Sequence, residues 1–199
     1  MRSINFFLKI IIDYIISVLC LFLLFIPITI ISIAIYLFDG GNIFFVQERA
    51  GYKGKKIKII KFKTLIRKNN EKKISKLGKY LRITRLDEIP QILNVIMGDI
   101  SLVGPRPLYL KYIPLYNNNQ KKRLDMKPGI TGWAQINGDN NISWNKKFDL
   151  DIWYINNFNI FIDIKIILHT VFFFINSILF YNKIKKKKLV IDKEFNGKN

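Results

Sequence analysis

From Tyr14 to Phe38 the chain reads YIISVLCLFLLFIPITIISIAIYLF, without one charged residue. At ~1.5 Å of rise per residue, a helix of that length reaches across a ~30 Å hydrocarbon core. The segment is therefore expected to insert into a bilayer. It is longer than the apolar part of a signal peptide, and no small-residue cleavage pattern follows it. Pro27 stands near its middle, where it removes a helix hydrogen bond and crowds the preceding turn. Two arrangements remain open on the residues alone. One is a Pro-kinked single span, which bilayers tolerate. The other is a re-entrant hairpin that enters and leaves by the same face. Arg2 and Lys9 before the run, and Arg49, Lys53, Lys55, Lys56 and Lys58 after it, put positive charge on both sides, which suits the hairpin.

Charge and apolarity must be segregated in this chain. Its formal net charge is +19, yet half of its 199 residues are hydrophobic and the mean hydropathy is +0.14. The basic excess suits an anionic membrane surface and phosphorylated substrates, or nucleic acid, although a chain so rich in Ile, Lys, Asn and Phe also carries compositional bias. The basic residues are scattered over strands and tail without a recognised binding module. No nucleic-acid partner is expected. Cys20 is the one cysteine, which excludes an intramolecular disulfide and fits a reducing compartment.

The turn DGGN (Asp39–Asn42) opens the rest of the chain. NIFFVQERAG and KKIKIIKFKT are expected to pair as two short strands joined by GYKG. Short helices are expected over Lys76–Thr84 and Pro90–Met97, the second stopped by Gly98, and partial helix over Pro107–Met126. Lys127–Asn141 reads as a Gly/Asn-rich loop, and Ser143 as the cap of a helix. Asn159–Tyr181 is a second apolar stretch, interrupted by Asp163, Lys165, His169 and Asn176 and followed by NKIKKKK. It reads as an interfacial helix held by lysines on anionic lipid headgroups, with a core helix as the alternative. The expected fold is α+β and helix-rich: a membrane helical hairpin (1–38) broken at Pro27, a small cytoplasmic and interfacial domain (39–182) with a short strand pair, and a basic tail (183–199).

No zinc pattern, dinucleotide fingerprint or P-loop motif is present. What remains is carboxylates, basic residues and Gly/Pro turns, a vocabulary suited to phosphate chemistry. In RLDEIPQ (Arg85–Gln91), Pro90 is acceptable only in the first turn of a helix. Asp87 and Glu88 therefore lie at or just before a helix N-terminus, which favours ionised carboxylates and also attracts phosphate. Asp87 could cap that helix, or attack phosphorus as aspartyl-phosphate enzymes do, with Mg²⁺ shielding the attacker from the phosphate charge. Arg106, between two prolines in GDISLVGPRP, is a candidate fork for phosphate oxygens. KFKT (Lys61–Thr64) adds further donors.

Taken in order, QERAG, KFKT, LDEIPQILNV, GDISLVGPRP and KPGITGWAQING resemble the bacterial sugar transferase family, the polyprenyl-phosphate phosphoglycosyl transferases with a monotopic membrane hairpin. The resemblance covers about Phe6 to Lys165. It implies that Asp87 attacks the β-phosphate of a UDP-sugar, releasing UMP, and that undecaprenyl phosphate then takes up the sugar phosphate. It further implies Glu88 as partner of the catalytic dyad and Mg²⁺ as cofactor with Asp87 as its ligand. Substrate contacts are implied at Arg106, Lys61, Arg82, Gln135 and Asp139, the last standing where many relatives have arginine. It also implies a hairpin in the bacterial inner membrane with the catalytic domain facing the cytoplasm, anionic lipids as partners, and a homodimer as one open oligomeric state. Ile26 replaces the serine expected before Pro27, so a hydrogen bond at the break must come from elsewhere, with Thr29 the candidate. A membrane-tethered nucleic-acid-binding protein and an inactive scaffold for glycan assembly are the alternatives.

Overall fold

The computed structural model describes residues 2–68, 71–138, 141–184 and 194–197. Asp139 and most of the basic tail lie outside the described residues. The N-terminal apolar region forms two helices, α1 (Arg2–Leu23) and α2 (Phe25–Asp39). The interruption falls at Leu24, upstream of Pro27. Proline acts backwards along a helix: it has no N–H for the carbonyl four residues earlier, and its ring crowds that carbonyl. For Pro27 that carbonyl belongs to Leu23. The Thr29 hydroxyl does not fill this gap, because it donates to the Phe25 carbonyl at 2.9 Å.

Both helices lean on the same body of structure. Near the start of α1, Lys9 donates to Asp163 at 2.6 Å, and Asp13 accepts from the Ser101 hydroxyl at 2.5 Å. At the end of α2, Asp39 accepts from Ser75 at 2.6 Å. Ile35 of α2 is fully buried in a core with Phe62, Leu81, Leu86, Ile89 and Ile92. Removing one such side chain to alanine costs ~2–5 kcal/mol. The opposite faces stay bare: Phe22, Leu23, Phe25 and Ile26, around the break, are each at least 65% exposed, an apolar tip that water would not favour.

The strand pair is present as β1 (Phe44–Ala50) and β2 (Lys56–Phe62), antiparallel, with Phe44 opposite Phe62 and Ala50 opposite Lys56. A second antiparallel pair, β3 (Leu65–Lys68) and β4 (Glu71–Ile74), follows; its basic, weakly alternating sequence carries little strand signal. Helix α3 (Lys76–Thr84) starts where Ser75 accepts from the Gly78 N–H, and α4 spans Gln91–Ile96.

The Gly/Asn-rich stretch after Lys127 is not simply a loop. It contains β6 (Gly129–Thr131), which pairs in parallel with β5 (Ser101–Val103), and the short helix α5 (Trp133–Ile136). Glycine permits this pairing. A Cβ on Gly104 would meet the Lys127 carbonyl, and one on Gly129 would meet the Gly104 N–H. The GPRP and KPGITG segments thus approach backbone to backbone. Between them, residues 107–126 form two 3₁₀ segments, Leu110–Leu115 and Gln120–Asp125.

Helix α6 (Trp144–Asn157) begins on Ser143, which accepts from Lys146, and α7 (Ile160–Leu179) begins on Asn159, which accepts from Ile162. At twenty residues α7 is long and apolar enough to cross a membrane, as is Asn5–Leu23 within α1. Asp163 does not interrupt the apolar face of α7 but turns inward to Lys9 and to the Tyr154 hydroxyl, which donates at 2.5 Å. Phe161, Leu168, Phe172 and Leu179 point outward, each at least 64% exposed. A one-turn helix, α8 (Tyr181–Ile184), follows.

Candidate active site

The LDEIPQ segment forms a tight 3₁₀ turn, Leu86–Glu88, running into α4 with Pro90 at its N-terminal cap position. The turn is entered through Arg85, a non-glycine residue with a left-handed φ of 61°. Such a backbone costs of order 1 kcal/mol and persists only where its surroundings enforce it. Here it reverses the chain after α3, so that Asp87 and Glu88 face β2 and the segment after β5.

Glu88 is buried and ringed by cations. Its Oε1 accepts from Lys61 Nζ at 2.5 Å and from Arg106 Nη2 at 3.1 Å, and Arg85 Nη1 lies 3.9 Å from Oε2. Burial opposes its ionisation, but Lys61, Arg106 and Arg85 outweigh burial and hold the carboxyl well below the usual range. Asp87 differs. No side chain among the described residues hydrogen-bonds it, and its carboxyl is pushed up to about 6 by burial first and by the charge of Glu88 second, against the pull of Lys61, Arg85 and Arg82. Two adjacent carboxyls thus have environments that drive them apart, one locked as an anion and one poised to take up or release a proton near neutrality.

Asn94, fully buried in α4, explains how Lys61 is aimed. Its Oδ1 accepts from the Ile60 N–H at 2.9 Å, and its Nδ2 donates to the Lys58 carbonyl at 2.7 Å. The asparagine of LDEIPQILNV thus clamps β2 edge-on and sets Lys61 over Glu88. Arg106 is aimed by Arg123, a buried guanidinium that donates to the Arg106 carbonyl at 2.8 Å while paired with Asp151 at 2.8 Å. Arg82 donates to the Thr64 hydroxyl at 2.8 Å, tying α3 to KFKT.

Beside Arg106 is a small, partly open cleft of about 20 Å³, lined by Arg123, Gln135, Trp144, Lys147 and Asp151 among others. Both polar atoms of the Gln135 amide, and Oδ1 of Asp151, are buried without a hydrogen-bond partner among the described residues. Such atoms call for a partner, and a bound polar ligand would supply one.

The structure therefore brings Asp87, Glu88, Lys61 and Arg106 to one centre, with Arg82 acting on Asp87 through its charge and Gln135 in the adjoining pocket. Asp139 lies outside the described residues. Arg85, Arg123 and Asp151 were not expected. The position of Arg85 beside the dyad could have signalled it, but nothing local marks Arg123 or Asp151, which act through contacts distant in the chain.

The small α+β body thus bears two long apolar helices and a carboxylate pair beside converging cations. Residues 4–177 match the family described as bacterial sugar transferase. The chain belongs to that family. It is 49% identical over 140 residues to the uncharacterized sugar transferase EpsL of Bacillus subtilis (strain 168), covering 66% of this chain and 69% of that one. It is 41% identical over 154 residues to the galactosyl transferase CpsE of Streptococcus agalactiae serotype III (strain NEM316), covering 66% of this chain and 34% of that one. The UDP-glucose:undecaprenyl-phosphate glucose-1-phosphate transferase of Escherichia coli (strain K12) is 36% identical over 178 residues, covering 80% of this chain and 38% of that one. The chain thus spans little more than a third of the latter two.

Proposed function

We propose that this protein transfers a sugar 1-phosphate from a UDP-sugar to undecaprenyl phosphate. The observation that carries the reading is the contrast within the dyad: Glu88 is held by Lys61, Arg106 and Arg85, while Asp87 has no side-chain hydrogen bond among the described residues and is raised to about 6. Asp87 is then the carboxylate available to attack, and Glu88 the anion that gathers the cations which receive the phosphates.

In the first step a carboxylate oxygen of Asp87 attacks the β-phosphorus of the UDP-sugar. The bond from that phosphorus to the bridging oxygen breaks, the oxygen leaves with UMP, and the sugar phosphate stays on Asp87. In the second step a phosphate oxygen of undecaprenyl phosphate attacks the same phosphorus and displaces the Asp87 carboxylate, giving the polyprenyl diphosphosugar. Lys61 and Arg106, whose charges already converge on Glu88 Oε1, neutralise the phosphoryl oxygens through both steps. Arg82 supports them through its charge, and the Gln135 amide, without a hydrogen-bond partner among the described residues, suits the nucleobase or sugar hydroxyls. Asp139 stays a candidate substrate contact.

Mg²⁺ fits this donor set. Among the described residues no cluster of three or more metal-ligating side chains occurs, but Mg²⁺ commonly takes one or two protein carboxylates and completes its shell with water and substrate phosphates. Asp87 is the carboxylate with a free oxygen to hold it, and when bound the ion would neutralise phosphate charge. The α1–α2 pair is read as a re-entrant hairpin, because Lys9 and Asp13 of α1 and Asp39 of α2 all bond to the same body. The bare tip around Leu24 would then lie among acyl chains and the dyad near the headgroups, on the cytoplasmic side of the inner membrane.

The test is UMP release by detergent-solubilised protein with Mg²⁺, undecaprenyl phosphate and a panel of UDP-sugars, including UDP-glucose, UDP-galactose and UDP-N-acetylgalactosamine. Release is expected with at least one sugar, lost on chelation and lost in Asp87→Asn. Equal release by that variant would remove Asp87 as nucleophile, and silence with every sugar would favour a scaffold.

A further inference from the structure

The β1–β2 ribbon presents a second basic group to the same centre. In the register of the pair, Phe45 is opposite Lys61, Gln47 opposite Ile59 and Arg49 opposite Ile57. Opposed residues of an antiparallel pair share a face, as do alternate residues of one strand. Lys61, Gln47 and Arg49 therefore project to one side of the ribbon, the side on which Lys61 reaches Glu88. Arg49 lies four residues along from the level of Lys61, roughly 14 Å at strand spacing. Arg106 bridges that interval: its guanidinium meets Glu88, and two residues later the Leu108 carbonyl accepts from the Ala50 N–H at 2.8 Å.

Arg49 is held as if for use. Nε and Nη2 donate to Gln47 Oε1 at 3.2 and 2.6 Å, and Gln47 Nε2 donates to the Tyr109 hydroxyl at 3.3 Å. The guanidinium carbon lies 3.6 Å from the centre of the Tyr109 ring, a stacked cation–π contact. Partly buried, it has no carboxylate within ion-pair distance among the described residues. Burial pulls it below the usual guanidinium range; Tyr109 opposes this, the like charge of Arg106 adds to it, and Glu88 offsets it only from a distance. A fixed, partly desolvated cation beside another cation is costly unless an anion completes it. Its Nη1 makes no hydrogen bond among the described residues.

We propose that Arg49 is a phosphate-binding residue of this site, stacked on Tyr109 and forked by Gln47 so that its outer N–H groups close with Arg106 on a phosphate of one substrate. The inference rests on the transferase reading for the identity of the substrates. The chemistry recognised is a phosphoryl oxygen, which the nucleotide-sugar diphosphate and the prenyl phosphate both offer.

The test compares wild type with Arg49→Gln and Arg49→Lys in the full chain. UDP and farnesyl phosphate are titrated separately by calorimetry in detergent, so that binding is read without turnover. UMP release is then measured with either substrate varied. Losing a charged hydrogen bond to phosphate should weaken binding on the order of 10-fold or more, with partial recovery in the lysine variant and little change in melting temperature. Weakening confined to UDP, matched by a raised KM for the UDP-sugar, assigns the donor diphosphate. Weakening confined to farnesyl phosphate, matched by a raised KM for undecaprenyl phosphate, assigns the acceptor. Both affinities within twofold of wild type, no binding of either probe by wild type, or loss of both only alongside a lowered melting temperature would each overturn the proposal. Silence in turnover with normal UDP binding would count against the transferase reading and not against Arg49.

Discussion

Lys61 Nζ lies 2.5 Å from Glu88 Oε1, although the two are separated by a strand pair, a helix and the left-handed Arg85. The contact depends on Asn94 holding β2 by its backbone. It makes a lysine of KFKT and a glutamate of LDEIPQ parts of one electrostatic unit, in which the lysine also acts on Asp87 through space.

Removing that lysine should move the pH dependence. Lys61 favours the ionised form of Asp87, so in Lys61→Met the Asp87 carboxyl rises above about 6. The acid limb of UMP release against pH should shift upward, and Lys61→Arg should restore it in part. A pH–rate profile in which the limb stays in place would exclude this coupling.

Asp87→Asn should stabilise the protein in neutral solution. The folded-state value of about 6 lies above the ordinary 3.8, so the folded protein holds this proton more tightly than the unfolded chain. The resulting stability is complete below the unfolded value and lost as pH rises through about 6. At pH 7.5 the charged carboxylate therefore costs on the order of 2 kcal/mol, which the amide avoids. Thermal melting should show the variant above wild type at pH 7.5, with the gain fading at pH 5 and absent below pH 4.

Arg123 and Asp151 are buried together at 2.8 Å. Arg123→Met leaves a carboxylate buried without its partner and should cost ~3–5 kcal/mol. The double variant Arg123→Met with Asp151→Leu should recover most of this in chemical denaturation. It should remain weak in UMP release, because the Arg106 carbonyl has lost its donor.

Gly104→Ala places a methyl against the Lys127 carbonyl. Forcing β5 and β6 apart should cost about 1–3 kcal/mol and displace Arg106, two residues on. Melting temperature and UMP release are expected to fall together.

Much of the fold was legible locally. The β1–β2 pair, α3 and α6 with its Ser143 cap follow from strand-forming composition, helix-forming runs and a capping residue, all short-range signals, whereas the Ser75 cap of α3 emerged only in the structure. The β5–β6 pair was not, because a parallel pairing of three-residue strands leaves no periodic trace and depends on two glycines meeting. Nor was the inward turn of Asp163, whose partner Lys9 lies at the other end of the chain.

The sequence by itself determined the apolar helices, the β1–β2 strands and which residue types were available for phosphate chemistry, since these depend on neighbours in the chain. It placed Asp87 and Glu88 side by side but could not divide their roles. Only the tertiary structure did that, by bringing Lys61 and Arg106 from distant segments onto Glu88 and leaving Asp87 half-buried beside a fixed negative charge. The physical reason is that a carboxyl's ionisation depends on burial and on charges within a few ångströms, and those neighbours are supplied by the fold.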